Sequence, residues 1–552
     1  MPTPMISQDR GRENQGPRWW VPVLLAIPAL IPLAASLVTA RWRGQVATGF
    51  IHHDMPYHIA NGRQHFIQGF HLLYGNPYAS YDTPAIYFQP QTFLLGCLQQ
   101  LGLDPGVTFN IFGVAALLLA AFVAVRFYRE VVGWQSPAAK LGLVCFFWGG
   151  GVFTLAGLEY ANIERELNTG TLFHFDISGG WWVLNFGRNL IYPTEAYYHA
   201  VFLLSMLFLL QRRFGVAIAF AALMSLSHPM TGLVAVIIVA AYLALERALG
   251  DKSVKPVHLV TSAALVVLHL GYYIFFLNRF PDHRAVLSQV EAAGRGWVYR
   301  PSTFLPALFI VGLLAVASLS RWPGWRQLIR EPRSRLFLVW FIVVFGLTQE
   351  DLVMKRIQPL HFARGYDWTA LFFLSAPLWV AVVDRLMKIE SPRLRVLAVS
   401  GFLLFFLLDN IVWFGSFLKP HSQTSREISL TKDQKQVLNW LGRTAAPRDM
   451  VVCADFSVAF LVSTYTTARS WKGLEYHTPS YKERAREVDE AFRDGTILPV
   501  WKTMRVFYVA SRDQSGWKPP QNCREGFHNA QFDVWECPPT LKAAGALPGP
   551  QD

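Results

Sequence analysis

Long apolar runs without charged residues recur over most of the first 416 positions of the chain. About 20 consecutive apolar residues allow an α-helix to cross a hydrocarbon core about 30 Å thick. The shorter run at 91–103 contains glutamines and is predicted to lie at the membrane interface rather than to cross. The pattern predicts an α-helical polytopic membrane protein with eleven candidate spans. These are 20–40, 106–125, 141–158, 196–210, 214–227, 229–245, 256–277, 303–320, 336–349, 368–383 and 396–415.

The distribution of basic residues predicts how these spans are oriented. With a cytoplasmic N-terminus, the inner segments hold 20 Lys and Arg in 77 residues, whereas the outer loops hold 12 in 145 residues. Lys and Arg accumulate in cytoplasmic loops of membrane proteins. The sequence therefore predicts a cytoplasmic N-terminus (1–18) followed by a transmembrane domain (19–416). The outer loops are predicted at 41–105, 159–195, 278–302 and 350–367.

The pattern changes after position 416. Segment TKDQKQVLNWLGR has helical spacing, and VVCADF and MRVFYVAS are typical of buried strands. Helices alternating with apolar strands indicate an α/β domain. The sequence predicts that 417–552 forms a C-terminal soluble α/β domain on the extracytoplasmic side.

The composition agrees with this architecture and excludes others. The chain of 552 residues is 52% apolar and only 16% charged, whereas soluble domains carry roughly 25% charged residues. The net charge of +13 lies largely on predicted cytoplasmic loops, so it is an orientation signal and no nucleic-acid partner is expected. Five cysteines are too few for a disulfide-built scaffold. Cys523 and Cys537 flank a predicted hairpin and could pair in an oxidising compartment.

The first outer loop places Asp54 among histidines just beyond the first span. Its segment reads IHHDMPYHIANGR. A carboxylate there can take a proton from an acceptor group, with His53 beside it and with Tyr57 and His58 as contacts to acceptor or sugar. Asp54 stands two residues before Pro56, a pattern that is also typical of a helix start, so a purely capping role stays open.

The second outer loop holds candidates for a metal site and for sugar contacts. Glu164 and Glu166, together with Asp54, could bind Mg²⁺ or Mn²⁺ against phosphate oxygens. Surface ion pairs with neighbouring arginines are the alternative. Trp181 and Trp182 could stack on a sugar face, although tryptophans beside a span are also typical of an interfacial belt.

The late outer loop carries Lys355, Arg356 and Arg364 on the side where basic residues are scarce. Arginine holds a phosphate in bidentate fashion, and Arg364 is the main candidate, with contact to lipid headgroups as the alternative. Asp409 lies inside the last apolar run, where an ionisable group is costly and therefore informative. The sequence does not indicate its partner.

Taken together, these features resemble the GT-C superfamily of polytopic membrane glycosyltransferases, which use lipid-phosphate-linked sugars. The resemblance rests on His53–Asp54 in the first outer loop, on the interfacial segment YFQPQTFLLGCLQQL and on a following span that ends in RFYRE. Many members have an aromatic-Pro-Pro segment where this chain has only Pro90. The resemblance implies that Asp54 is the general base and that Arg364 contacts the donor phosphate. The WWD-type motif of oligosaccharyltransferases is missing, which disfavours transfer to asparagine.

The sequence thus predicts an inverting glycosyltransferase for a hexose or pentose. The expected partners are a polyprenyl-phosphate-sugar donor, a glycan, lipid or protein acceptor, and membrane lipids. A transporter or flippase is one alternative, although it would show charged spans and two related halves. A polymerase or ligase of lipid-linked glycans would share the topology and stays open. Compact loops on a single chain favour the bacterial inner membrane, with the C-terminal domain in the periplasm.

Overall fold

The protein is described by a computed structural model that covers residues 17–180, 184–293, 297–321, 331–352, 358–418, 429–513 and 516–541. Its first part is helical, and many of the helices begin with proline, whose missing N–H is not needed in the first turn. The helices of this part are α1 (Trp20–Ala26), α2 (Ile31–Trp42), α3 (Met55–Gln64), α4 (Pro90–Gln99), α5 (Pro105–Val132), α6 (Pro137–Trp148), α7 (Phe153–Glu164), α8 (Thr169–Leu172), α9 (Phe186–Asn189), α10 (Pro193–Leu210), α11 (Phe214–Ser227), α12 (Pro229–Ala248), α13 (Pro256–Leu270), α14 (Pro281–Ala293), α15 (Pro301–Arg321), α16 (Pro332–Thr348), α17 (Leu360–Ala363), α18 (Tyr366–Met387) and α19 (Pro392–Phe417).

Within the described ranges, eight helical segments are long and apolar enough to cross a membrane, or nine if α6 and α7, bent by 52°, count as one broken span. Two of the eight are longer than a single α-helix: Trp20–Trp42 joins α1 and α2, and Pro256–Arg279 is α13 with the helical turns that continue it. All eleven predicted runs lie on helices, although 141–158 is broken between α6 and α7. The count of possible spans is lower than eleven because two of these helices are short. Helix α11 has only 14 residues and α16 has 17, and at about 1.5 Å per residue α11 reaches about 21 Å. The predicted fold class, a polytopic helical membrane protein with a C-terminal α/β domain, is confirmed.

The break between α6 and α7 is held by Asp409 of α19. Asp409 is 1% exposed, and its carboxylate accepts hydrogen bonds from the backbone N–H groups of Gly151 (2.9 Å), Phe153 (3.1 Å) and Thr154 (2.8 Å). Gly151 lies just before the N-cap residue Val152, and Phe153 and Thr154 are in the first turn of α7, where N–H groups have no intrahelical acceptor. The acid within the last apolar run therefore caps a broken helix.

The C-terminal domain is a five-stranded mixed sheet flanked by helices. Its strands lie in the order β4, β3, β5, β7, β6, where β3 pairs parallel with β4 and β5, and β7 pairs antiparallel with β5 and β6. A separate antiparallel pair, β1 with β2, joins the loop after the first span to the start of the domain. The elements are β1 (Val46–Ala47), β2 (Ser429–Leu430), α20 (Lys432–Thr444), β3 (Met450–Cys453), α21 (Phe456–Tyr465), β4 (Arg469–Ser470), α22 (Tyr481–Asp494), β5 (Val506–Ser511), β6 (Arg524–His528) and β7 (Phe532–Cys537). Cys523 and Cys537 form a disulfide.

The C-terminal domain packs directly on the first loop. Ala60 and Tyr78 belong to the same buried cluster as the apolar side chains of α20, α21, β3 and β5. Hydrogen bonds support this contact, since Arg63 Nη2 donates to the Thr464 carbonyl (2.8 Å) and Asn76 Nδ2 donates to the His477 carbonyl (2.9 Å). The domain therefore helps to position α3, the helix that follows Asp54.

Helix α3 is held equally closely on the side that faces α4. A Cβ on Gly62 would lie 2.8 Å from the Thr92 carbonyl oxygen, and one on Gly96 would lie 2.3 Å from the Gly62 carbonyl oxygen. Only glycines allow α3 and α4 to approach this closely. Helix α3 is thus held between α4 and the C-terminal domain.

Candidate functional site

A cavity of about 350 Å³ lies where α10 and α12 begin, next to the C-terminal domain. The first loop, the loop before α18, helix α14 and the loop before α22 complete its walls. The cavity is lined by His53, Asp54, Tyr57, His58, Asn61, Tyr74, Asn76, Pro77, Tyr87, Gln89, Asn189, Tyr192, Thr194, Glu195, Tyr198, His228, Pro229, Met230, His283, Val286, Leu287, Val290, Trp297, Gln358, His361, Arg364, Tyr476 and His477. Asp54 and Arg364, 310 positions apart in the numbering, therefore face one space.

Asp54 occupies the N-cap position of α3, yet its side chain makes no capping hydrogen bond. The carboxylate instead turns toward histidines: Oδ1 lies 3.2 Å from His53 Nε2, and Oδ2 lies 3.4 Å from His52 Nδ1. The side chain is 32% exposed, so a reactant in the cavity can reach it. The capping role left open by the sequence is thus not the one its carboxylate performs.

The surroundings of Asp54 keep it ionised. Burial raises the pKa of Asp54, but the nearby His52, His53, His477 and His58 lower it by more, so that its pKa lies below the ordinary 3.8. Burial also lowers the pKa of His52, His58 and His477 to about 4 in each case. At neutral pH the site therefore presents the Asp54 carboxylate, the form that can accept a proton, beside the neutral imidazoles of His52, His58 and His477.

Arg364 stands on another wall of the same cavity and is 5% exposed. Burial lowers the pKa of Arg364 to about 10, so it stays charged at neutral pH. Its Nη1 forms an ion pair with Glu195, at the start of α10. Its Nε donates to the His361 carbonyl (3.0 Å), and its Nη2 lies 3.0 Å from His361 Nδ1 and 3.2 Å from His228 Nε2.

The backbone at Arg364 is unusual and tightly held. Arg364 has φ +36° and Gly365 has φ +70°, and a left-handed conformation costs an L-residue about 1–2 kcal/mol. The Arg364 carbonyl oxygen lies 3.1 Å from His199 Nε2. A Cβ on Gly365 would lie 2.8 Å from the backbone of Asn185. Such strain is typical of functional sites.

The C-terminal domain supplies part of the cavity wall through Tyr476 and His477. The His477 ring stacks on Tyr57 with a centroid distance of 3.8 Å, and Tyr476 lies 6.3 Å from the His53 ring. Helix α14 contributes the apolar side chains Val286 and Leu287. The cavity thus has a polar, aromatic side toward the C-terminal domain and an apolar side along α14.

The structure brings some of the predicted site residues together and leaves others apart. His53, Asp54, Tyr57, His58 and Arg364 all line the cavity. Glu164 and Glu166 are exposed, near the end of α7, and are not part of its lining. Four further candidates, Trp181, Trp182, Lys355 and Arg356, lie outside the described residues.

The expected Mg²⁺ or Mn²⁺ site is not formed by the predicted residues. Among described residues, the group of possible ligands is His52, His53 and Asp54, whose donor atoms lie within 4.8 Å of one another. Glu164 and Glu166 are too distant to join it because α7 directs them to the surface. A set of two imidazoles and one carboxylate does not suit Mg²⁺, which prefers oxygen ligands.

The polar residues of the cavity that sequence reasoning missed include Glu195, His228, Tyr476 and His477. Glu195 stands within the first turn of an apolar span, and His228 joins two apolar runs just before a proline. An ionisable group in such a position is a signal for function. Tyr476 and His477 carry no comparable signal, since only the docking of the C-terminal domain brings them to the cavity.

The sequence matches no protein-family model and no curated protein. Among solved structures, ArnT from Cupriavidus metallidurans in the apo state is 13% identical with a TM-score of 0.48, and the match covers 96% of this chain and 99% of that chain. The oligosaccharyltransferase of Archaeoglobus fulgidus in complex with zinc and sulfate is 13% identical with a TM-score of 0.44, covering 88% and 68%. The oligosaccharyltransferase AglB of the same organism, in complex with an inhibitory peptide and a dolichol-phosphate, is 12% identical with a TM-score of 0.46, covering 89% and 69%. ArnT and AglB are members of the GT-C superfamily, and at this identity the likeness concerns the fold alone.

Proposed function

We propose that the protein is a membrane glycosyltransferase that moves a sugar from a polyprenyl-phosphate donor to an acceptor at the extracytoplasmic face. The observation that carries the proposal is that one cavity at the ends of the spans holds both the Asp54 carboxylate and the Arg364 guanidinium. The carboxylate can take the proton of an acceptor hydroxyl, and the guanidinium can bind a phosphate. Transfer of a sugar from a lipid phosphate to a hydroxyl can use both groups in the same step.

The donor fits the Arg364 side of the cavity. Its phosphate would lie against the guanidinium, and its isoprenoid tail would follow the apolar wall formed by Val286, Leu287 and Val290 of α14. Because Arg364 is buried and charged, its attraction to an anion is only weakly screened by water. The phosphate therefore has a place where the charge that develops on it is stabilised.

The acceptor fits the opposite side, near Tyr57 and His477. Its hydroxyl oxygen attacks the anomeric carbon of the sugar while Asp54 takes the hydroxyl proton. The bond between the anomeric carbon and the phosphate oxygen breaks, and its electron pair leaves on the polyprenyl phosphate. A single displacement of this kind inverts the anomeric configuration. His53 would orient the Asp54 carboxylate.

The test is the variant Asp54→Asn, which keeps the size of the side chain and removes the base. The full-length protein in lipid nanodiscs is given radiolabelled polyprenyl-phosphate hexoses and pentoses with a membrane extract as the acceptor source. Release of polyprenyl phosphate should fall by about a hundredfold or more, the range typical of a lost general base. The gel-filtration profile should stay that of the wild type.

A matched control is Asp82→Asn in the same loop. Asp82 is 60% exposed, forms ion pairs with Arg448 and Arg469, and does not line the cavity. We expect wild-type turnover from this variant. Wild-type turnover by the Asp54 variant would remove Asp54 from the mechanism, and equal losses in both variants would place the effect in the loop rather than in the carboxylate.

The same assay separates the proposal from its rivals. A transporter or flippase would move the intact donor across the bilayer without releasing polyprenyl phosphate. A polymerase or ligase would act on lipid-linked glycans and leave the monosaccharide donors unchanged. A periplasmic position of the C-terminal domain in a bacterial inner membrane belongs to the proposal as well, and a reporter fused after the last residue that is active only outside the cytoplasm would test it.

A further inference from the structure

His228 connects α11 to α12 and faces the Arg364 guanidinium. It is the N-cap residue of α12, a helix of 20 residues, and its Nδ1 accepts the backbone N–H of Thr231 at 3.1 Å. On the other side of the ring, Nε2 lies 3.2 Å from Arg364 Nη2. One imidazole therefore joins a helix start to the candidate phosphate-binding arginine.

The imidazole of His228 cannot accept hydrogen bonds from both the Thr231 N–H and the Arg364 guanidinium. Burial lowers the pKa of His228 well below 6.5, and nearby histidines lower it further, so the ring is neutral at pH 7. A neutral imidazole carries a proton on one nitrogen and accepts only at the other. Since Nδ1 accepts the cap hydrogen bond, the proton lies on Nε2. This N–H then faces a guanidinium, which has donors only.

Two converging donors are stabilised when an acceptor lies beside both of them. With the nitrogens 3.2 Å apart, an oxygen atom can lie at the ordinary hydrogen-bond distance of about 2.9 Å from each. The start of α12 adds the partial positive charge of a helix N-terminus. Guanidinium, imidazole N–H and helix start all favour an anionic oxygen at this point.

We propose that His228 binds the phosphate of the lipid-linked donor, donating its Nε2 proton to a phosphate oxygen that Arg364 also holds. This inference rests on the proposed function and adds a second phosphate-binding residue to it. His228 keeps its proton throughout the transfer, because the proton of the acceptor goes to Asp54. As the bond to the anomeric carbon breaks, negative charge grows on the phosphate and the hydrogen bond from Nε2 becomes stronger.

Two amide substitutions separate this role from the capping role. In His228→Asn, the amide oxygen takes the place of Nδ1 and keeps the cap, since Asn is a preferred N-cap residue, but the Nε2 donor is lost. In His228→Gln, an amide N–H can reach the position of Nε2 while the cap is lost. His228→Asn should therefore lose phosphate binding and keep stability, whereas His228→Gln should lose stability and keep phosphate binding.

The experiment measures the dissociation constant of a polyprenyl monophosphate for the full-length protein in nanodiscs, together with its unfolding temperature. His228→Asn should bind about tenfold more weakly or worse, the effect of a lost hydrogen bond to a charged group, and should unfold near the wild-type temperature. His228→Gln should bind closer to wild type and unfold earlier. Wild-type affinity in the Asn variant, with lost stability in the Gln variant, would overturn the proposal and leave only a cap.

Further arms identify what the site takes. Inorganic phosphate should displace the lipid weakly, with an inhibition constant that rises in His228→Asn as the lipid dissociation constant does. The polyprenyl alcohol should bind the wild type and this variant equally. An unchanged inhibition constant for phosphate, or an equal loss of alcohol binding, would place the effect in the lipid groove and overturn the proposal.

The proposed function fails in a different way. If the wild type does not bind polyprenyl monophosphate, or if Arg364→Gln binds it as the wild type does, the donor site itself is wrong. If the wild type binds it and Arg364→Gln does not, the donor site stands. In that case, wild-type binding by His228→Asn refutes only the role of His228.

Discussion

Replacing Asp409 should destabilise the membrane domain rather than abolish a catalytic step. Its carboxylate accepts hydrogen bonds from the N–H groups of Gly151, Phe153 and Thr154 at 2.8–3.1 Å and is nearly inaccessible to water, with 1% of the residue exposed. Asp409→Ala leaves all three donors buried without this acceptor. Asp409→Asn keeps one acceptor oxygen but removes the negative charge at the start of α7.

The size of the effect follows from these contacts. A buried donor that loses its acceptor costs about 1–3 kcal/mol, so the alanine variant should lose about 3–9 kcal/mol. Since native stabilities are only about 5–15 kcal/mol, we expect little folded protein from it. The asparagine variant loses the charge at a helix N-terminus, worth about 0.3–2 kcal/mol, and at least one hydrogen bond to a charged acceptor, worth about 1.5–3 kcal/mol. It should therefore fold but lose about 2–5 kcal/mol.

The assay is fluorescence-detected gel filtration of detergent-solubilised protein after heating. Asp409→Asn should give a monodisperse peak at low temperature and lose it at a lower temperature than the wild type, with turnover per folded molecule near that of the wild type. Asp513→Asn, an exposed aspartate in the C-terminal domain, is the control and should leave the unfolding temperature unchanged. A stable but inactive Asp409→Asn protein would refute the capping argument and assign Asp409 to the chemistry.

Two further predictions concern the cavity. Burial lowers the pKa of His58 and His477 to about 4, whereas the pKa of histidine in an unfolded chain is about 6.5. As the pH falls, the unfolded state therefore binds protons before the folded state does. The folded protein should have its full stability above pH 6.5 and lose stability between pH 6.5 and about 4, by up to about 1.4 kcal/mol per pH unit for each ring. Unfolding temperatures measured from pH 7.5 to 4.5 check this, and a slope unaffected by replacing both rings with Gln would contradict it. Gly365→Ala should reduce turnover by tenfold or more, because the added Cβ would lie 2.8 Å from the Asn185 backbone and the shift would move Arg364; turnover at the wild-type level with unchanged donor affinity would show that the turn can adjust.

Much of the architecture is determined locally and can be predicted from the sequence. Apolar runs such as 106–125 must be helical in a membrane, because each backbone N–H and C=O then finds its partner within the same segment. Prolines and short polar linkers indicate where the helices begin. The strands MVVC and VFYVAS are apolar except for the final Ser511, and their apolar residues are buried on both faces of the sheet. Asp54 and Arg364 can also be chosen from the sequence. Asp54 is an acid among histidines just beyond the first span, and Arg364 is a basic residue in an outer loop, where basic residues are scarce.

What the sequence does not determine depends on contacts between distant segments. Whether Asp54 caps its helix or faces a cavity is decided by α3 being held between α4 and the C-terminal domain. The partners of Asp409, the pairing of Arg364 with Glu195 and the position of His477 result from packing of segments that are far apart in the chain. Glu164 shows the reverse case: its place in an outer loop on the same predicted side as Asp54 suggested a shared metal, but Glu164 is exposed at the end of α7 and does not join the cavity. Residue types reveal the chemistry that is available, and only the tertiary fold decides which groups share one space, because burial and distance determine charge and reactivity.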